Sequence, residues 1–259
     1  MIQQYNINEK FNKDFAQSIV DEWMIEENKV FHLTSSIQKE KIRDFYERIG
    51  NLIGNYKLLS EDVNLGNRSK QKANQIWMEV RYDSNINDAY RHSANPQPLH
   101  TDGSYNSNFP NATIMCCLSN KAQGGETIFL DLKVLVDILK QDDPQLLEFL
   151  FTEDILHERT GYTNKKKILD FENKKLKINF NYFCVSKKNS KKSLENLEKF
   201  FNFINTSQKI KENISPIKLN VGDAVFWKDS EILHGRNGFV PKKDSDRFLW
   251  KAAIQIGNK

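Results

Sequence analysis

The sequence predicts a mainly β chain with added helices, of the sandwich or barrel type. The first 60 residues carry apolar side chains mostly at helical spacing, whereas from Ile76 onward the apolar runs are short and suit strands. Turn residues such as Gly124-Gly125 and Gly222-Asp223 separate those runs. Helices followed by eight or so short strands are typical of a β-sandwich or barrel with helical decoration.

The N-terminal part, about residues 1–75, is predicted to be helical. The segment from Phe11 to Phe31 has roughly helical spacing, and Ser36 is a candidate cap for a second helix. One apolar stripe of that second helix consists of Ile42, Phe45, Ile49 and Ile53. The polar stretch 60–74, which includes Gly66-Asn67-Arg68, reads as a loop, and so does 83–97.

The remainder, residues 76–256, is predicted to alternate strands with a few helices. Asp131 can cap a helix from Leu132 to about Gln141, and Pro144 suits the first turn of another. A further helical stripe runs from Leu194 to about residue 212. Strands are expected at 76–82, 112–118, 126–130, 154–160, 167–171, 175–185, 217–219, 223–227 and 247–256, with lysine- and asparagine-rich turns between several of them. We find no linker that would divide residues 1–259 into separate domains.

Composition sets broad limits on function. The chain has 259 residues, 39% of them hydrophobic, and a net charge of +4, so it can form a core but lacks the dense basic stripe of a nucleic-acid binder. No apolar run reaches membrane-spanning length, and three cysteines without CxxC spacing favour neither disulfides nor zinc. We therefore expect a soluble cytoplasmic protein with a small-molecule partner, no nucleic acid and no membrane. A homo-oligomer is left open.

Two histidines and one aspartate are the first candidates for chemistry. His100 and Asp102 are two residues apart, so an extended segment points both side chains to one side. His234 precedes Gly235 after an apolar run. Each alone has an ordinary alternative, a solvated loop pair or a structural histidine. Together they form the two-histidine, one-carboxylate set that holds a non-haem Fe(II) and leaves positions open for cosubstrate and O2.

Arg247 is the candidate for binding a carboxylate. It opens an apolar strand and is one of only eight arginines, and its guanidinium can hold a carboxylate by two hydrogen bonds. A charge that leads into a buried strand is costly unless it is paired. The alternative is that Arg247 is simply the exposed start of that strand.

These residues stand in an order that resembles a known family. His100-Thr-Asp102, Gly124-Gly-Glu-Thr127-Ile-Phe129, Gly222-Asp223, Leu233-His234-Gly-Arg236 and Asp246-Arg247 are similar to the taurine dioxygenase and clavaminate synthase-like oxygenases. The resemblance runs from about Ile76 to Ile256. It implies a double-stranded β-helix, the jelly-roll barrel of cupin-like proteins, with iron in the barrel mouth.

The resemblance also implies roles for individual residues. His100, Asp102 and His234 match the iron ligands. Arg247 matches the arginine that pairs with the distal carboxylate of 2-oxoglutarate, and Thr127 matches a threonine that bonds the same group. From the residues alone, Thr127 would be taken as structural. The implied reaction uses Fe(II), 2-oxoglutarate and O2, releases succinate and CO2, and hydroxylates an unactivated C–H bond.

The chain departs from the family pattern at one place. Relatives usually have Asp-Asn six and five residues before the distal histidine, where this chain has Lys228 and Asp229, so the hydrogen bonding around His234 is in question. Asp102 is an acid, unlike the small residue of halogenating relatives, and leaves no position for chloride. Hydroxylation therefore fits better than halogenation.

Substrate contacts are predicted at four positions. Lys251 lies four residues beyond Arg247, so both side chains of an extended strand face the barrel interior, and its cation suggests a substrate with an acidic group. A lysine that reaches out to solvent is the alternative. Arg91, Tyr105 and Arg236 are near the metal motif in sequence. The expected substrate is a small polar metabolite, either amino-acid-like or a sulfonate or phosphonate.

Two other functions remain open at this point. A cupin-like metal enzyme that does not use 2-oxoglutarate would share the barrel but would not need Arg247 and Thr127. A non-catalytic binding module on the same scaffold would not need an intact set of metal ligands.

Overall fold

The computed structural model describes residues 2–7, 13–25, 30–58, 74–86 and 90–256, and in them a mostly-sheet α+β fold. The strands are β1 (Ile2–Ile7), β2 (Val30–Ser35), β3 (Gly54–Tyr56), β4 (Met78–Arg81), β5 (Gln97–His100), β6 (Ala112–Asn120), β7 (Gln123–Gly124), β8 (Thr127–Asp131), β9 (Asp154–Arg159), β10 (Tyr162–Lys167), β11 (Leu169–Glu172), β12 (Lys175–Ile178), β13 (Ser215–Ile217), β14 (Ala224–Trp227), β15 (Ile232–Arg236), β16 (Phe239–Val240) and β17 (Arg247–Ile256). The helices are α1 (Lys13–Ile25), α2 (Ile42–Ile53), α3 (Leu132–Asp142), α4 (Pro144–Thr152), α5 (Lys191–Thr206) and α6 (Gln208–Glu212). No helix in these ranges is long and apolar enough to cross a membrane.

Two sheets form the frame of the molecule. The larger has the order β1-β2-β14-β6-β17-β3, with β4 also paired to β17, and the smaller has the order β13-β8-β15-β5. The β1–β2 pair is parallel, and the other pairs are antiparallel. Hairpins β9–β10 and β11–β12 and the short pair β7–β16 lie outside the two sheets.

Both sheets contribute to one buried cluster, so they pack face to face. From the larger sheet come Met115, Trp227 and Leu249, and from the smaller come Phe129 and Ile232. The outer faces are covered by helices. Ile42, Phe45, Ile49 and Ile53 of α2 are buried in the cluster on the larger sheet, which confirms the predicted stripe. Helices α3 to α6 supply the cluster on the smaller sheet.

The helix starts predicted in the middle of the chain are confirmed. The Asp131 side chain accepts a hydrogen bond from the Lys133 backbone N–H at 2.8 Å and caps α3. Asp143 caps α4 in the same way, with Pro144 in the first turn, where its missing N–H costs nothing. These short-range signals are read correctly because cap chemistry depends on only four or five neighbouring residues.

The prediction that the N-terminal part is mostly helical is confirmed at α1 and α2 but wrong at its strands. The described helix α1 ends at Ile25, and Val30–Ser35 forms a strand between β1 and β14 in the larger sheet. Val30, Phe31 and Leu33 are all fully buried, because both faces of this strand are covered. Such a strand loses its alternating pattern, and its apolar run looks like part of a helix. The predicted loop 60–74 lies outside the described residues except for Asn74.

The lysine- and asparagine-rich stretch between the strands expected at 154–160 and 167–171, predicted to be a turn, is mostly a strand. Residues Tyr162–Lys167 pair with β9 in a regular antiparallel register, Tyr162 opposite Arg159. The hairpin turn lies earlier, at Thr160 and Gly161, which both have positive φ. The strand expected at 175–185 ends at Ile178 and is followed by a short 3₁₀ turn at Tyr182–Cys184.

Candidate metal centre

Two neighbouring strands of the smaller sheet bring the predicted ligands together. His100 ends β5, His234 lies in β15, and the antiparallel register places the two residues directly opposite each other. Their ring centroids are 4.3 Å apart. Asp102 follows β5 by two residues, and ligand atoms of all three side chains lie within 4.8 Å of one another. The pairing of β5 with β15 thus brings together three donor atoms, one of which comes from a distant part of the chain.

His100 is held so that its Nε2 faces the cluster. Its Nδ1 lies 2.9 Å from the Pro98 carbonyl oxygen, which can only accept, so Nδ1 carries the proton in the neutral ring. The lone pair is then on Nε2, which lies 3.1 Å from Gln97 Nε2 and 3.7 Å from Asp102 Oδ1. A histidine that bonds a carbonyl through one nitrogen and offers the other is the common arrangement of metal ligands.

His234 is oriented by a carboxylate instead of a carbonyl. Its Nδ1 lies 3.4 Å from Asp229 Oδ1, and its Nε2 lies 3.7 Å from Asp102 Oδ2. The side chain is buried, and this desolvation together with nearby His100 lowers the pKa of His234 well below its usual range. Burial therefore favours the neutral ring, the form that can donate a lone pair to a metal.

Asp229 is the site residue whose role the sequence did not reveal. Three N–H groups approach its Oδ1: the Trp227 indole at 3.2 Å, the Asp102 backbone at 3.3 Å and the His234 ring. Its Oδ2 accepts a hydrogen bond from the Thr113 hydroxyl. Burial, followed by the charge of Asp102, raises the pKa of Asp229 to about 6. The one sequence signal was its place five residues before His234.

Asp102 has its charge balanced by a lysine. Lys251 Nζ contacts Asp102 Oδ2 and lies 5.8 Å from the Trp227 ring centroid. Burial alone would raise the pKa of Asp102, but Lys251 and then His234 hold it well below its usual range. The carboxylate is therefore ionised at neutral pH, as a ligand to a divalent cation must be.

Arg247 is buried in the same cavity with little to satisfy its charge. Its side chain is 3% exposed, and burial lowers its pKa to about 10. Within the described residues its guanidinium makes one hydrogen bond, from Nε to the Gly125 carbonyl at 2.9 Å, lies 5.8 Å from the Phe239 ring centroid, and makes no ion pair. The exposed strand start considered as an alternative is therefore wrong. A buried guanidinium with unused donors suits an anionic ligand.

Thr127 lies on the strand next to β15, opposite Arg236 in the register. It is buried and lines the cavity that contains Arg247. The turn before it passes very close to Arg247, because a Cβ added to Gly125 would lie 3.0 Å from Arg247 Cδ. With φ of +77° as well, Gly125 is a position where other residues would be strained and crowded.

One cavity of about 610 Å³ contains the cluster and every predicted substrate contact. Lys251, Arg91, Tyr105 and Arg236 all line it. The size suits a metabolite together with a small cosubstrate. These four residues are therefore positioned to meet a substrate, but what each can bind depends on the contacts that its side chain already makes.

The contacts of Arg236 differ from those expected of a substrate-binding residue. Its Nη1 donates to the Tyr90 carbonyl at 3.0 Å, and its Nη2 donates to the carbonyls of Ser93 and Asn95. The guanidinium also lies 5.0 Å from the Phe239 ring centroid. These carbonyls engage both Nη atoms of Arg236 and tie it to the loop 90–95, so a contact of Arg236 with substrate stays a prediction.

Arg159 lines the cavity and was also missed by sequence reasoning. It ends β9, and its guanidinium lies 6.0 Å from the Tyr105 ring centroid. Nothing in the local sequence distinguishes it from the surrounding lysine-rich surface. Only the fold shows its position, because the hairpin β9–β10 that carries Arg159 lies over the cavity.

The geometry defines the class of protein: a mainly β oxygenase with a two-histidine, one-carboxylate centre next to a buried arginine. The chain belongs to the taurine catabolism dioxygenase TauD, TfdA family, whose sequence profile matches residues 22–253. It is therefore a non-haem Fe(II)- and 2-oxoglutarate-dependent oxygenase. The predicted family resemblance is confirmed. No curated protein sequence matches the chain.

Solved structures of similar fold include several such oxygenases. Asparagine oxygenase in complex with Fe(II), 2S,3S-3-hydroxyasparagine and succinate has a TM-score of 0.71 at 8% identity, over 94% of this chain and 78% of that one. The oxygenase OrfP with Fe and α-ketoglutaric acid has a TM-score of 0.66 at 12% identity, over 95% and 79%. PvcB, an oxygenase from an isonitrile synthetic pathway, has a TM-score of 0.58 at 14% identity, over 98% and 85%. At these identities the likeness establishes the fold.

Proposed function

We propose that the chain hydroxylates an unactivated C–H bond of a small acidic metabolite, with His100, Asp102 and His234 as the iron ligands. The observation that carries this proposal is that these three side chains and the buried Arg247 line a single cavity. A metal site alone would fit many enzymes. A metal site beside a buried guanidinium that forms no ion pair with the described residues fits one that binds a dicarboxylate cosubstrate.

The donor set fits Fe(II). Two imidazole nitrogens and one carboxylate on one side of a metal leave the opposite side open, as oxygenases that bind a chelating cosubstrate and O2 require. Both histidines present Nε2 because a carbonyl and a carboxylate occupy the neighbourhood of their Nδ1 atoms. The protein thus offers both Nε2 atoms to a metal, and the metal, when bound, supplies the oxidising chemistry.

Arg247 and Thr127 are the proposed anchors of 2-oxoglutarate. The guanidinium fork of Arg247 would pair with the carboxylate remote from the metal, and the Thr127 hydroxyl would donate to the same group. Both side chains are buried, so the ion pair would form away from water, where it is stronger than on the surface. The geometry of Gly125 keeps the arginine side chain packed against the turn.

The overall reaction consumes 2-oxoglutarate, O2 and R–H and releases succinate, CO2 and R–OH. One oxygen atom enters the succinate carboxylate and the other enters the product, so no further reductant is required. The contribution of the chain is to position both substrates and to exclude water from the cavity. The buried pair Asp102–Lys251 and the carboxylate of Asp229 keep the ligand geometry fixed.

We further propose that the two sheets form the double-stranded β-helix implied by the family, with the site at its mouth. For the substrate, the solved relatives that carry hydroxylated amino acids favour an amino-acid-like acid. The cations lining the cavity also favour an acidic group.

The test is an anaerobic titration of the purified chain with Fe(II) and then 2-oxoglutarate. We expect a visible charge-transfer absorption band, and on admission of air, succinate formation even without prime substrate. His234→Ala should abolish the band, while Arg48→Ala on the surface of α2 should leave it unchanged. Metal binding without any band or succinate would favour the cupin-like enzyme without 2-oxoglutarate. Absence of metal binding would favour the non-catalytic module.

A further inference from the structure

We propose that the substrate carries an apolar body, aromatic or branched, which is bound by an aromatic wall of the cavity. The aromatic wall consists of the side chains of Tyr90, Tyr182, Phe183 and Phe201, all of which line the cavity. This inference rests on the proposed function, since it concerns the substrate of the same cavity. It narrows the amino-acid-like acid of that function to one with an apolar side chain.

The four rings of the aromatic wall form one continuous surface. Tyr182 and Phe201 are stacked with their ring centroids 4.3 Å apart, and Phe183 meets both of them edge to face at 5.8 Å. Tyr90 adjoins Phe183, with ring centroids 5.3 Å apart. The rings come from the loop before β5, the 3₁₀ turn at Tyr182–Cys184 and helix α5. The surface is therefore made by the fold and not by one sequence motif.

Hydrogen bonds hold the aromatic wall close to the proposed metal ligands. Thr101 stands between two of those ligands, and its N–H donates to the Phe180 carbonyl at 2.6 Å, while the Phe180 N–H donates to the Thr101 hydroxyl at 3.0 Å. Tyr182 is two residues further on, which is about 7 Å of chain at most. Arg236, two residues beyond the distal histidine ligand, donates to the Tyr90 carbonyl at 3.0 Å. A substrate that reacts at the metal therefore lies beside the wall.

Phe183 is the part of the aromatic wall that core packing does not explain. Tyr182 and Phe201 also pack against the buried cluster on the smaller sheet, whereas Phe183 is 57% exposed. Its position is nevertheless fixed, because its backbone N–H donates to Asn181 Oδ1 at 3.2 Å. An exposed ring in a preformed group of rings is typical of a ligand groove, since an apolar ligand that covers it removes its surface from water.

The charges of the cavity favour a neutral body over a cationic one, although aromatic rings can bind either. Among the described residues that line the cavity, Asp102 is the one acid, and it is contacted by Lys251. A cationic body would be repelled by the basic side chains around it. Whichever of them meets the acid group of the substrate, the wall is left for an uncharged part. The basic side chains that line the cavity are Lys57, Arg91, Arg159, Arg236, Arg247 and Lys251.

The experiment compares ligands of similar shape and different polarity. L-leucine is measured against L-asparagine, and 4-methylpentanoate against succinamate, with L-phenylalanine and 3-phenylpropanoate as the aromatic members of the two sets. Dissociation constants are obtained by ligand-observed NMR on the chain loaded with 2-oxoglutarate and Zn(II), which has no redox chemistry. We expect at least one apolar acid to bind roughly tenfold or more tightly than the polar member of its set, because it buries several apolar groups.

Substitutions of Phe183 test whether the aromatic wall causes this preference. Phe183→Ser should reduce the preference at least about fivefold, because it removes the most exposed ring of the wall. Phe183→Leu keeps an apolar side chain and should retain most of it. Phe171→Ser is the matched control and should leave the preference unchanged. Phe171 is 61% exposed and stacked on Phe151 at 5.7 Å, but it is not among the residues that line the cavity. Urea unfolding checks that each variant is folded.

Several results would overturn the proposal. They are the absence of an apolar preference in both sets, a preference that survives Phe183→Ser, and a preference that is lost equally in Phe171→Ser. L-arginine binding more tightly than its neutral isostere L-citrulline would show that the wall receives a cation. A dimer in sedimentation velocity that Phe183→Ser dissociates would show that the wall is a contact between two copies of the chain.

The outcome is separable from that of the proposed function, for which the charge-transfer band is the readout. The same ligands are also measured on the metal-free chain, where contact with the aromatic wall does not depend on iron. If no band appears but Phe183→Ser still reduces the apolar preference, the wall stands as a binding site and the oxygenase assignment fails. A normal band without any apolar preference gives the reverse conclusion.

Discussion

Asp229 separates the effect of geometry from the effect of charge at the metal ligands. Three N–H groups lie near its Oδ1: those of the Trp227 indole and the Asp102 backbone donate hydrogen bonds to it, and His234 Nδ1 is 3.4 Å away. Among the described residues, Oδ2 accepts from the Thr113 hydroxyl, a group that can donate or accept. An asparagine could therefore offer its Oδ1 to the same three groups and its Nδ2 to the hydroxyl.

We expect Asp229→Asn to leave Co(II) affinity little changed, whereas Asp229→Ala should weaken it by about 10–100-fold, because the alanine releases both His234 and the Asp102 backbone. Isothermal calorimetry with Co(II) measures both variants, and circular dichroism checks that each is folded. If the asparagine variant lost as much affinity as the alanine variant, the negative charge of Asp229 and not its geometry would be the deciding factor.

Arg247→Ala should weaken 2-oxoglutarate binding by about 2–4 kcal/mol, because it removes the buried cation proposed to pair with the distal carboxylate. The dissociation constant is obtained by anaerobic titration of the Fe(II)-loaded chain. Arg247→Lys keeps the charge without the fork and should fall between wild type and alanine. An unchanged affinity in the alanine variant would contradict the assignment of Arg247.

At the residue scale, site residues are predictable from the sequence where the residue type is scarce and stands at a recognisable spacing. The sequence predicts His100, Asp102 and His234 as one set of ligands, and the structure brings them together. Asp229 and Arg159 escaped because their significance depends on what folds against them. Trp227, Thr113 and the Asp102 backbone come from three different segments, and no local pattern reveals that they converge.

The hairpin β9–β10 contains a histidine that should make stability depend on pH. His157 is fully buried, and desolvation, with a smaller effect from Lys166, lowers its pKa to about 4 from an ordinary value of 6.5. Between these two values the unfolded chain binds a proton and the folded chain does not. The stabilisation is thus complete above the unfolded pKa and is lost as pH falls toward 4.

We expect this one group to remove at most roughly 3 kcal/mol of the free energy of unfolding between pH 7 and pH 4. Urea unfolding of wild type and His157→Leu at several pH values isolates the effect, since the other titrating groups are common to both chains. The stability difference between the two chains should shift in favour of the leucine variant as pH falls. Parallel pH profiles would show that His157 does not titrate differently on folding.

At the element scale, helices are predictable from local sequence signals, whereas strands depend on the segments with which they pair. Helices α3 and α4 were located closely, because caps and proline are local signals. The lysines of strand β10 have low strand propensity and predict a turn, and the pairing with β9 overrides that preference. The sequence of strand β2 predicts a helix, because burial on both faces removes the alternation that marks a strand.

For the whole molecule, ligand binding should appear as added stability. The cluster joins β5 with β15, and Arg247 extends the site to the larger sheet, so a metal and 2-oxoglutarate together would link both sheets. A ligand at 100 times its dissociation constant contributes about 2.7 kcal/mol if it binds only the folded state. Thermal unfolding with Mn(II) and 2-oxoglutarate should show a raised Tm that is absent in His234→Ala. An equal increase in that variant would mean that the metal binds elsewhere.

The mainly β class with helices was predicted correctly, but the order of strands in the sheets was not derivable from the residues. Which strand pairs with which is decided by contacts between segments more than 100 residues apart, such as β2 with β14 and β4 with β17. Residue patterns report burial and turn chemistry, and both are satisfied by many different orders of the same strands.

The position of β17 has a consequence for how the chain folds. It is the last described strand in the chain, yet it lies inside the larger sheet between β6 and β3, with β4 paired to it as well. During synthesis the edges of β3, β4 and β6 that pair with β17 stay unpaired until residues 247–256 have left the ribosome. Folding dominated by such distant pairings is slow and exposes aggregation-prone edges. Productive expression should therefore be sensitive to temperature and to chaperone supply, in contrast to a protein whose central strands are made first.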